Sequence, residues 1–438
     1  MGAKSAEVKA WLDHLETLHP KKIDLGLARI GRVLDRLSLR MPPYRSIAVG
    51  GTNGKGSCVA MLESLYLAGG YRTGAFTSPH LWRFNERIRV DGVDADSATI
   101  VTLFECVERA RGDISLSYFE FSTAAALLNF ARSEVDVALL EVGLGGRLDA
   151  VNAMDADASL IASVDLDHQE WLGTTREAIG HEKAGIMRRG RPAVVAERNP
   201  PESLLTHAAG IDARLRRLGV EFDFNIHRER WTYRSGNVEV PGLPCPGFGG
   251  REQVANAAGC LAVVESLQSD LPLDRTVWPR GIGRARPSGR IEERDIGGVR
   301  WIFDVAHNPA AARVLAEALA RRPVRGRTFA VVAMMQDKDH EGVLGPLTPM
   351  VHHWLPTLAG GTRGAAPESL VAVLAPGSAA SIHLDPAAAC EGARRRAAPG
   401  DRVVVFGSFY LVGPAMSALG LYSTGSQAGS RSATWTGV

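Results

Sequence analysis

Ser46-Ile47-Ala48-Val49-Gly50-Gly51-Thr52-Asn53-Gly54-Lys55-Gly56-Ser57 decides how this chain is read. Its first five residues form a short strand that ends in glycine. Residues 57–68 then carry Val59, Leu62 and Leu65 on one side, and Gly69-Gly70 stops them. The order is strand, Gly-rich turn, helix, C-cap. Glycines let a backbone wrap a phosphate with successive N–H groups pointing inward. The following helix N-terminus adds partial positive charge. Asn53, Gly54, Lys55, Gly56 and Ser57 are therefore expected to bind a nucleotide. Lys55 reaches its terminal phosphates, and the Ser57 hydroxyl ligates Mg²⁺. The plain alternative is a turn with an incidental lysine, and the flanking strand and helix weigh against it. Common phosphate loops place Ser or Thr directly after Lys. Here Gly56 intervenes, which counts against a motor or GTPase.

Outward from this loop, strand-like apolar runs alternate with helical patterns, as in α/β layers. Residues 135–142, 159–164 and 192–196 read as further buried strands. From 221 to 240, polar and apolar residues alternate about Ser235-Gly236-Asn237, which predicts an antiparallel hairpin. Residues 241–250 read as a loop and 253–267 as a helix. The stretch 270–289 carries Pro, Gly and Arg without periodicity and marks a boundary. We expect one domain over 1–285 and a second over 286–422. The second holds strands at 299–305, 328–334 and 401–406 and a helix at 310–320. The Ser/Gly/Thr-rich tail, 423–438, reads as disordered.

The 438 residues suit two domains. Hydrophobic residues are 45% and charged residues 22%, values that suit a soluble globular chain. The net charge of +2 implies no nucleic-acid partner. The five cysteines form no CxxC pair, so neither a disulfide framework nor a zinc cluster is expected. The polar, amphipathic N-terminus lacks a signal-peptide core, and no apolar run is long enough to span a bilayer. A cytoplasmic location with no membrane contact is the expectation.

Two carboxylate and histidine positions stand out on chemical grounds. Val137 to Val142 is apolar except for Glu141, and Gly143-Leu144-Gly145-Gly146-Arg147 follows. A carboxylate at the end of a buried strand is costly unless it meets a cation. Ligands also gather at the C-terminal strand ends of open α/β sheets. Glu141 is thus a credible Mg²⁺ ligand, with a salt bridge to Arg147 as the alternative. The next strand leads into Asp165-Leu166-Asp167-His168, so His168 also follows a strand end. Read from the residues alone, Lys183 in His181-Glu182-Lys183-Ala184-Gly185-Ile186 is an exposed helix residue. Asn256, in the helix opened by Gln253, offers both a donor and an acceptor to an adenine edge.

The loop GTNGKGS resembles that of the Mur ligase superfamily, and specifically the folylpolyglutamate synthase/dihydrofolate synthase family. Thr77-Ser78-Pro79-His80-Leu81 and Asn85-Glu86-Arg87-Ile88 resemble the same family's next loop. EVGLGGRLDA, DLDH, WLG and HEKAGI then occur in the family's order. The resemblance implies that Glu141 and His168 are metal ligands. It also implies that Lys183 is carbamylated by CO₂ and becomes an anionic ligand. It assigns Asn256 to adenine, and Arg290, in a Pro-Gly-Arg-like motif where Ser288 replaces proline, to phosphate. Asp304-Val305-Ala306-His307-Asn308-Pro309 resembles the family's DxAHNP motif, with Asp304 on the ribose and His307 catalytic beside Lys55 and Lys183. Asp337-Lys338-Asp339 and Phe406-Gly407-Ser408-Phe409 resemble later motifs. The implied fold is α/β, with an N-terminal Mur-ligase-type ATPase domain and a C-terminal Rossmann-like domain. The implied reaction joins L-glutamate to dihydropteroate, and to tetrahydrofolate polyglutamates, through an acyl phosphate made from ATP.

Three segments resemble bacterial members that carry out both reactions: 23–27, 118–121 and 147–150. From them Asp24, Phe119, Glu120, Arg147 and Asp149, together with Ser78 of the 77–81 loop, are expected near the substrate. Phe119 and Phe121 offer faces to a pterin, although at least one of the two is expected in the core. The protein is expected to act as a monomer. A Mur-type ligase acting on cell-wall precursors and a nucleotide-switched binding protein are the alternatives. ADP release that requires both folate and glutamate separates all three.

Overall fold

The computed structural model describes residues 3–21, 23–360 and 363–422, so the tail 423–438 lies outside the described residues. Eight strands form the first sheet: β1 (Arg45–Gly50), β2 (Thr73–Phe76), β3 (Ile88–Val90), β4 (Val93–Asp94), β5 (Val137–Glu141), β6 (Ala158–Ile161), β7 (Pro192–Val195) and β8 (Arg214–Arg217). Their order is β4-β3-β2-β5-β1-β6-β7-β8. From β2 to β8 all neighbours run parallel, and β3 and β4 add an antiparallel edge. Every residue of β5 is buried, as a strand covered on both faces requires. β1 lies between β5 and β6, with Val49 beside Glu141 and Gly50 beside Ile161. The glycine-rich loop therefore leaves the sheet flanked by the ends of two other strands.

A three-stranded antiparallel sheet follows: β9 (Asp223–His227), β10 (Arg230–Ser235) and β11 (Val238–Pro244). The hairpin turn at Gly236-Asn237 is as expected. β11 nevertheless runs on through Pro241 and Gly242, where a loop was expected. Trp231 of β10 pairs with Leu243, and both are fully buried, so apolar contact carries the strand onward. Proline is tolerated because β11 is an edge strand. The helix expected at 253–267 is Arg251–Ser266.

The aperiodic stretch 270–289 also differs from its expectation. It holds a helix, Trp278–Arg284, whose Trp278 and Ile282 are fully buried. This helix packs on Lys55–Ala68. Gly281 permits the approach: a Cβ there would stand 2.8 Å from Leu65 Cα. Two turns interrupted by Pro279, Gly281 and Gly283 are too short to display a period, which is why the pattern hid them.

The second sheet comprises β12 (Glu292–Ile296), β13 (Val299–Asp304), β14 (Thr328–Val332), β15 (His353–Pro356) and β16 (Arg402–Phe406), in the order β12-β13-β16-β14-β15. All but the edge strand β12 are parallel. Alternate residues feed two apolar clusters. Phe329, Val331, Val403 and Val405 pack on one face; Ala330, Val332, Val404 and Phe406 pack on the other. Both faces are thus covered, as in a Rossmann-like layer arrangement. Asn308 caps the helix Pro309–Ala320 through Ala311 N–H, and Pro309 fills its first position.

Candidate active site

The helix Lys55–Ala68 begins without a side-chain cap. Gly54, at φ 87°, holds the capping position. The first N–H groups of that helix have no intrahelical partner and point at the place a phosphate would take. Gly54 also has no room for a side chain, since a Cβ would lie 2.8 Å from Asn256 Nδ2. This contact brings the expected adenine residue directly against the phosphate loop. The loop is braced from the end of β6. Thr52 N–H donates to Ser163 O at 2.7 Å, and Asn53 N–H donates to Ser163 Oγ at 3.1 Å. Lys55 Nζ folds back to donate to Gly51 O (2.9 Å) and Thr52 O (3.3 Å). Ser57 Oγ is buried with no hydrogen-bond partner. Such an orphan hydroxyl one turn into the helix fits a metal or phosphate ligand.

Glu141 is 4% exposed at the end of β5. Ser78 N–H donates to its Oε2 at 3.1 Å. Burial pushes its carboxyl above the usual range, against the nearby charge of Lys55. Arg147 does not pair with it and instead donates to Glu182 Oε1 at 2.8 Å. Lys183 is 3% exposed rather than on the surface, so the reading from residues alone is corrected. The glycines before Arg147 explain its burial. A Cβ on Gly146 would stand 2.8 Å from Glu182 O, so the helix Arg176–Ala184 lies directly on this loop. Burial, with the charge of Lys55, holds the Lys183 amine down at about 7. Partial burial, opposed by Asp167 and assisted by Lys338 and Lys55, keeps the His168 imidazole neutral, at about 4.

Two cavities meet at the loop. One, of about 400 Å³, is lined by Asn53, Gly54, Ser57, Asn256, Arg290 and Asp304, and it has the size of a nucleotide site. The other, of about 130 Å³, gathers Lys55, Ser78, Glu141, His168, Lys183 and His307. Arg290, Asn53 and Gly54 line both. Among the described residues no group of three or more His, Cys, Asp or Glu side chains is poised for a metal. A metal bound by Glu141 and His168 would require a further oxygen donor; the unpartnered Ser57 hydroxyl lines the adjoining larger cavity.

Contacts across the two sheets assemble this region. Asn308 Nδ2 donates to Asn53 Oδ1 at 2.9 Å, and Lys338 Nζ donates to Asp167 Oδ1 at 2.7 Å. His307 Nδ1–H donates to Val305 O at 2.8 Å, which fixes its tautomer and leaves Nε2 3.7 Å from Asp167 Oδ2. Burial works against the Asp167 carboxylate, but the neighbouring His307 and the charges of His168 and Lys338 hold it well below the usual range. Asp304 accepts N–H from Ile291 and Ala306, both at 2.8 Å, and so ties the Arg290 segment to β13. Asp167, Asn308, Lys338 and Phe409 were not among the expected site residues. Each lies in a motif quoted above, but only the fold brings them together.

The expected substrate residues fall into two groups. Ser78 lines the smaller cavity. Asp24, Phe119, Glu120, Arg147 and Asp149 line neither cavity and stand on the flank. Arg29 bridges Asp24 and Glu120. Glu120 also accepts Ser117 N–H at 2.7 Å. Phe119 lies against the loop beyond Glu141, since a Cβ on Gly143 would be 2.7 Å from its ring. Phe121 is fully buried in the core with Phe104. Asp149 accepts N–H from Leu144 (2.9 Å) and Val151 (3.0 Å), and burial raises its carboxyl to about 6.

Residues 289–409 match the Mur ligase, glutamate ligase domain. An Escherichia coli dihydrofolate synthase/folylpolyglutamate synthase is 40% identical over 95% of this chain and 96% of its own. A Mycobacterium tuberculosis protein of the same name is 33% identical over 80% of this chain and 77% of its own. Among solved structures, E. coli FolC in complex with DHPP and ADP superposes with a TM-score of 0.89 at 39% identity, covering 96% of this chain and 99% of that one. A bifunctional folylpolyglutamate synthase/dihydrofolate synthase with Mn, AMPPNP and L-glutamate bound gives 0.87 at 42% identity, covering 94% and 98%.

Proposed function

The chain belongs to the dihydrofolate synthase/folylpolyglutamate synthase family, and on that premise we propose that it is an ATP-dependent ligase of L-glutamate to dihydropteroate and to reduced folates. One observation carries the reading. The ends of β5, β1 and β6 bring Glu141, the phosphate loop and His168 to one cavity, which Arg290, just before β12, and His307, just after β13, complete. Mg²⁺, held by Ser57, Glu141, His168 and a carbamate on Lys183, would neutralise charge on the β- and γ-phosphates.

The chain's own residues do the rest. The uncapped helix N-terminus and Gly54 hold the phosphates, while Asn256 and Asp304 line the cavity for adenine and ribose. Lys55 leaves the Gly51 and Thr52 carbonyls for the γ-phosphate, and Arg290 faces it from the second domain. The folate carboxylate oxygen attacks the γ-phosphorus and ADP departs. The glutamate amine then attacks the acyl carbon, phosphate leaves, and an amide remains. That amine must lose a proton, and His307 would accept it at Nε2, the ring nitrogen that the Val305 carbonyl leaves free. Residues 1–285 and 286–422 act as the two domains that close on the substrate. Asp24, Phe119, Glu120, Arg147 and Asp149 shape the pterin side, and the enzyme works as a cytoplasmic monomer. Among the described residues no helix is long and apolar enough to cross a membrane.

Purified protein with ATP and glutamate should release ADP with dihydropteroate and also with tetrahydrofolate. No release with dihydropteroate, beside good turnover of tetrahydrofolate, leaves only the polyglutamate reaction. No release with either defeats the proposal. The metal assignment has its own test. Glu141→Ala and His168→Ala should each raise the Mg²⁺ needed for half-maximal activity by more than the about 10- to 100-fold that losing an outer partner costs. An unchanged half-saturation in both variants removes them from the metal site.

A further inference from the structure

Leu81 lies in the first domain by sequence and in the second domain's core by position. It is 7% exposed within the apolar cluster that contains Val305, Leu411 and Val412. Its backbone rests on the helix Phe409–Ala418 at Gly413. A Cβ on Gly413 would stand 1.8 Å from Leu81 O and 2.5 Å from its carbonyl carbon, so only glycine fits there. Leu81 Cδ1 reaches within 3.1 Å of where a Gly289 Cβ would be. This docking is made by main chain and side chain together.

The loop that carries Leu81 is braced internally. Glu86 accepts the N–H groups of Leu81 (2.8 Å), Trp82 (2.9 Å) and Arg83 (2.7 Å). Thr77 N–H donates to Arg87 O at 2.9 Å. At the front of the loop, Ser78 N–H donates to Glu141 Oε2. The receiving helix also reaches the site. Phe409 lies four residues before Gly413, on the same helix face. Phe409 lines the smaller cavity, and the Arg290 guanidinium lies 5.7 Å from its ring centroid. A displacement at Gly413 would therefore act on both walls of the cavity.

We propose that Leu81 is a positioning residue: its seat on Gly413 and in the second domain's core fixes the 77–87 loop so that Ser78 N–H holds Glu141. Docking of the second domain and orientation of the Glu141 carboxylate are then one event. This inference rests on Glu141 being a metal ligand.

The test uses the full chain carrying Leu81→Ala, Leu81→Met, Gly413→Ala or Glu141→Ala. Each is assayed for ADP release with ATP, tetrahydrofolate and glutamate across a Mg²⁺ titration, with thermal unfolding measured alongside. Leu81→Ala and Gly413→Ala should raise the Mg²⁺ half-saturation and lower kcat by about 10- to 100-fold. Leu81→Met should restore most of both. The clash with Leu81 O should lower the Tm of Gly413→Ala despite alanine's better helix propensity, so both variants are assayed well below their Tm, where a raised Mg²⁺ half-saturation in the folded fraction is a change that partial unfolding alone does not give. Adding Leu81→Ala to Gly413→Ala should not restore activity, because the clash is with a carbonyl. Wild-type kcat and Mg²⁺ dependence in both Leu81→Ala and Gly413→Ala, with Glu141→Ala shifted, overturn the inference. An unshifted Glu141→Ala overturns the metal reading beneath it. If Leu81→Ala does not fold, Gly413→Ala decides alone.

Discussion

Lys55→Ala is expected to cut kcat by about 10³-fold, the scale of losing a preorganised charge aimed at the transition state, while the protein stays folded. The expectation follows from where Nζ now sits. It donates only to Gly51 O and Thr52 O, two carbonyls of its own loop, and makes no ion pair among the described residues. Burial lowers its pKa, and the charge of Glu141 counters that. A half-buried cation held by two carbonyls is poised to exchange them for phosphate oxygens, where charge builds as the γ-phosphoryl group moves. Removing it leaves the core intact, since Cys58, Val59, Met61, Leu62 and Leu65 supply the helix's packing. kcat and the thermal midpoint are to be measured together, with nucleotide binding as a third reading. Turnover within a few-fold of wild type would rule out the phosphate role.

The phosphate loop was legible because its signal is local: strand, glycines and helix lie within about 25 residues and each obeys a backbone rule. The same holds for Glu141, a single charge in an apolar strand. Lys183 was not legible from its own segment, yet a trace of its burial is there. Ile179, Gly180, Lys183 and Ala184 are the buried residues of the helix, so Lys183 stands four residues after Ile179 on the inner face. Its charge masked that position, and the glycines that pull the helix inward lie over 30 residues away. The pairing of Asp167 with Lys338 spans 171 residues and has no local signature. Arg29, which bridges Asp24 and Glu120, went unread for the same reason. Neither of those carboxylates announces a partner until the helix Ala28–Arg36 packs against the helix Tyr118–Arg132. What sequence conveyed poorly was therefore contact across elements rather than the elements themselves.

Lys183→Ala should abolish turnover, and the loss should exceed the about 10- to 100-fold that follows from disturbing a metal site's outer partners. Lys183 is 3% exposed, and among the described residues its amine makes no hydrogen bond or ion pair. A permanently charged ammonium in that position would be desolvated without compensation and would repel a divalent cation. Burial and the charge of Lys55 bring the amine to about 7, so at pH 8 it is mostly neutral and able to add to CO₂. A carbamate formed there would be an anionic oxygen donor able to complete the metal set proposed for Glu141 and His168. As pH falls through about 7 the ammonium form takes over, and carbamate and activity should decline together. Three measurements bear on this. Protein equilibrated with ¹³C-bicarbonate should show one carbamate carbon resonance that Lys183→Ala lacks. Enzyme held free of CO₂ should lose activity and regain it with bicarbonate. Acetate should partly restore Lys183→Ala, because a small carboxylate can occupy the vacated space beside Glu141. Full activity of Lys183→Ala without added carboxylate would defeat the idea. An inactive Lys183→Ala in a wild type that shows no carbamate signal would instead make the lysine a structural amine.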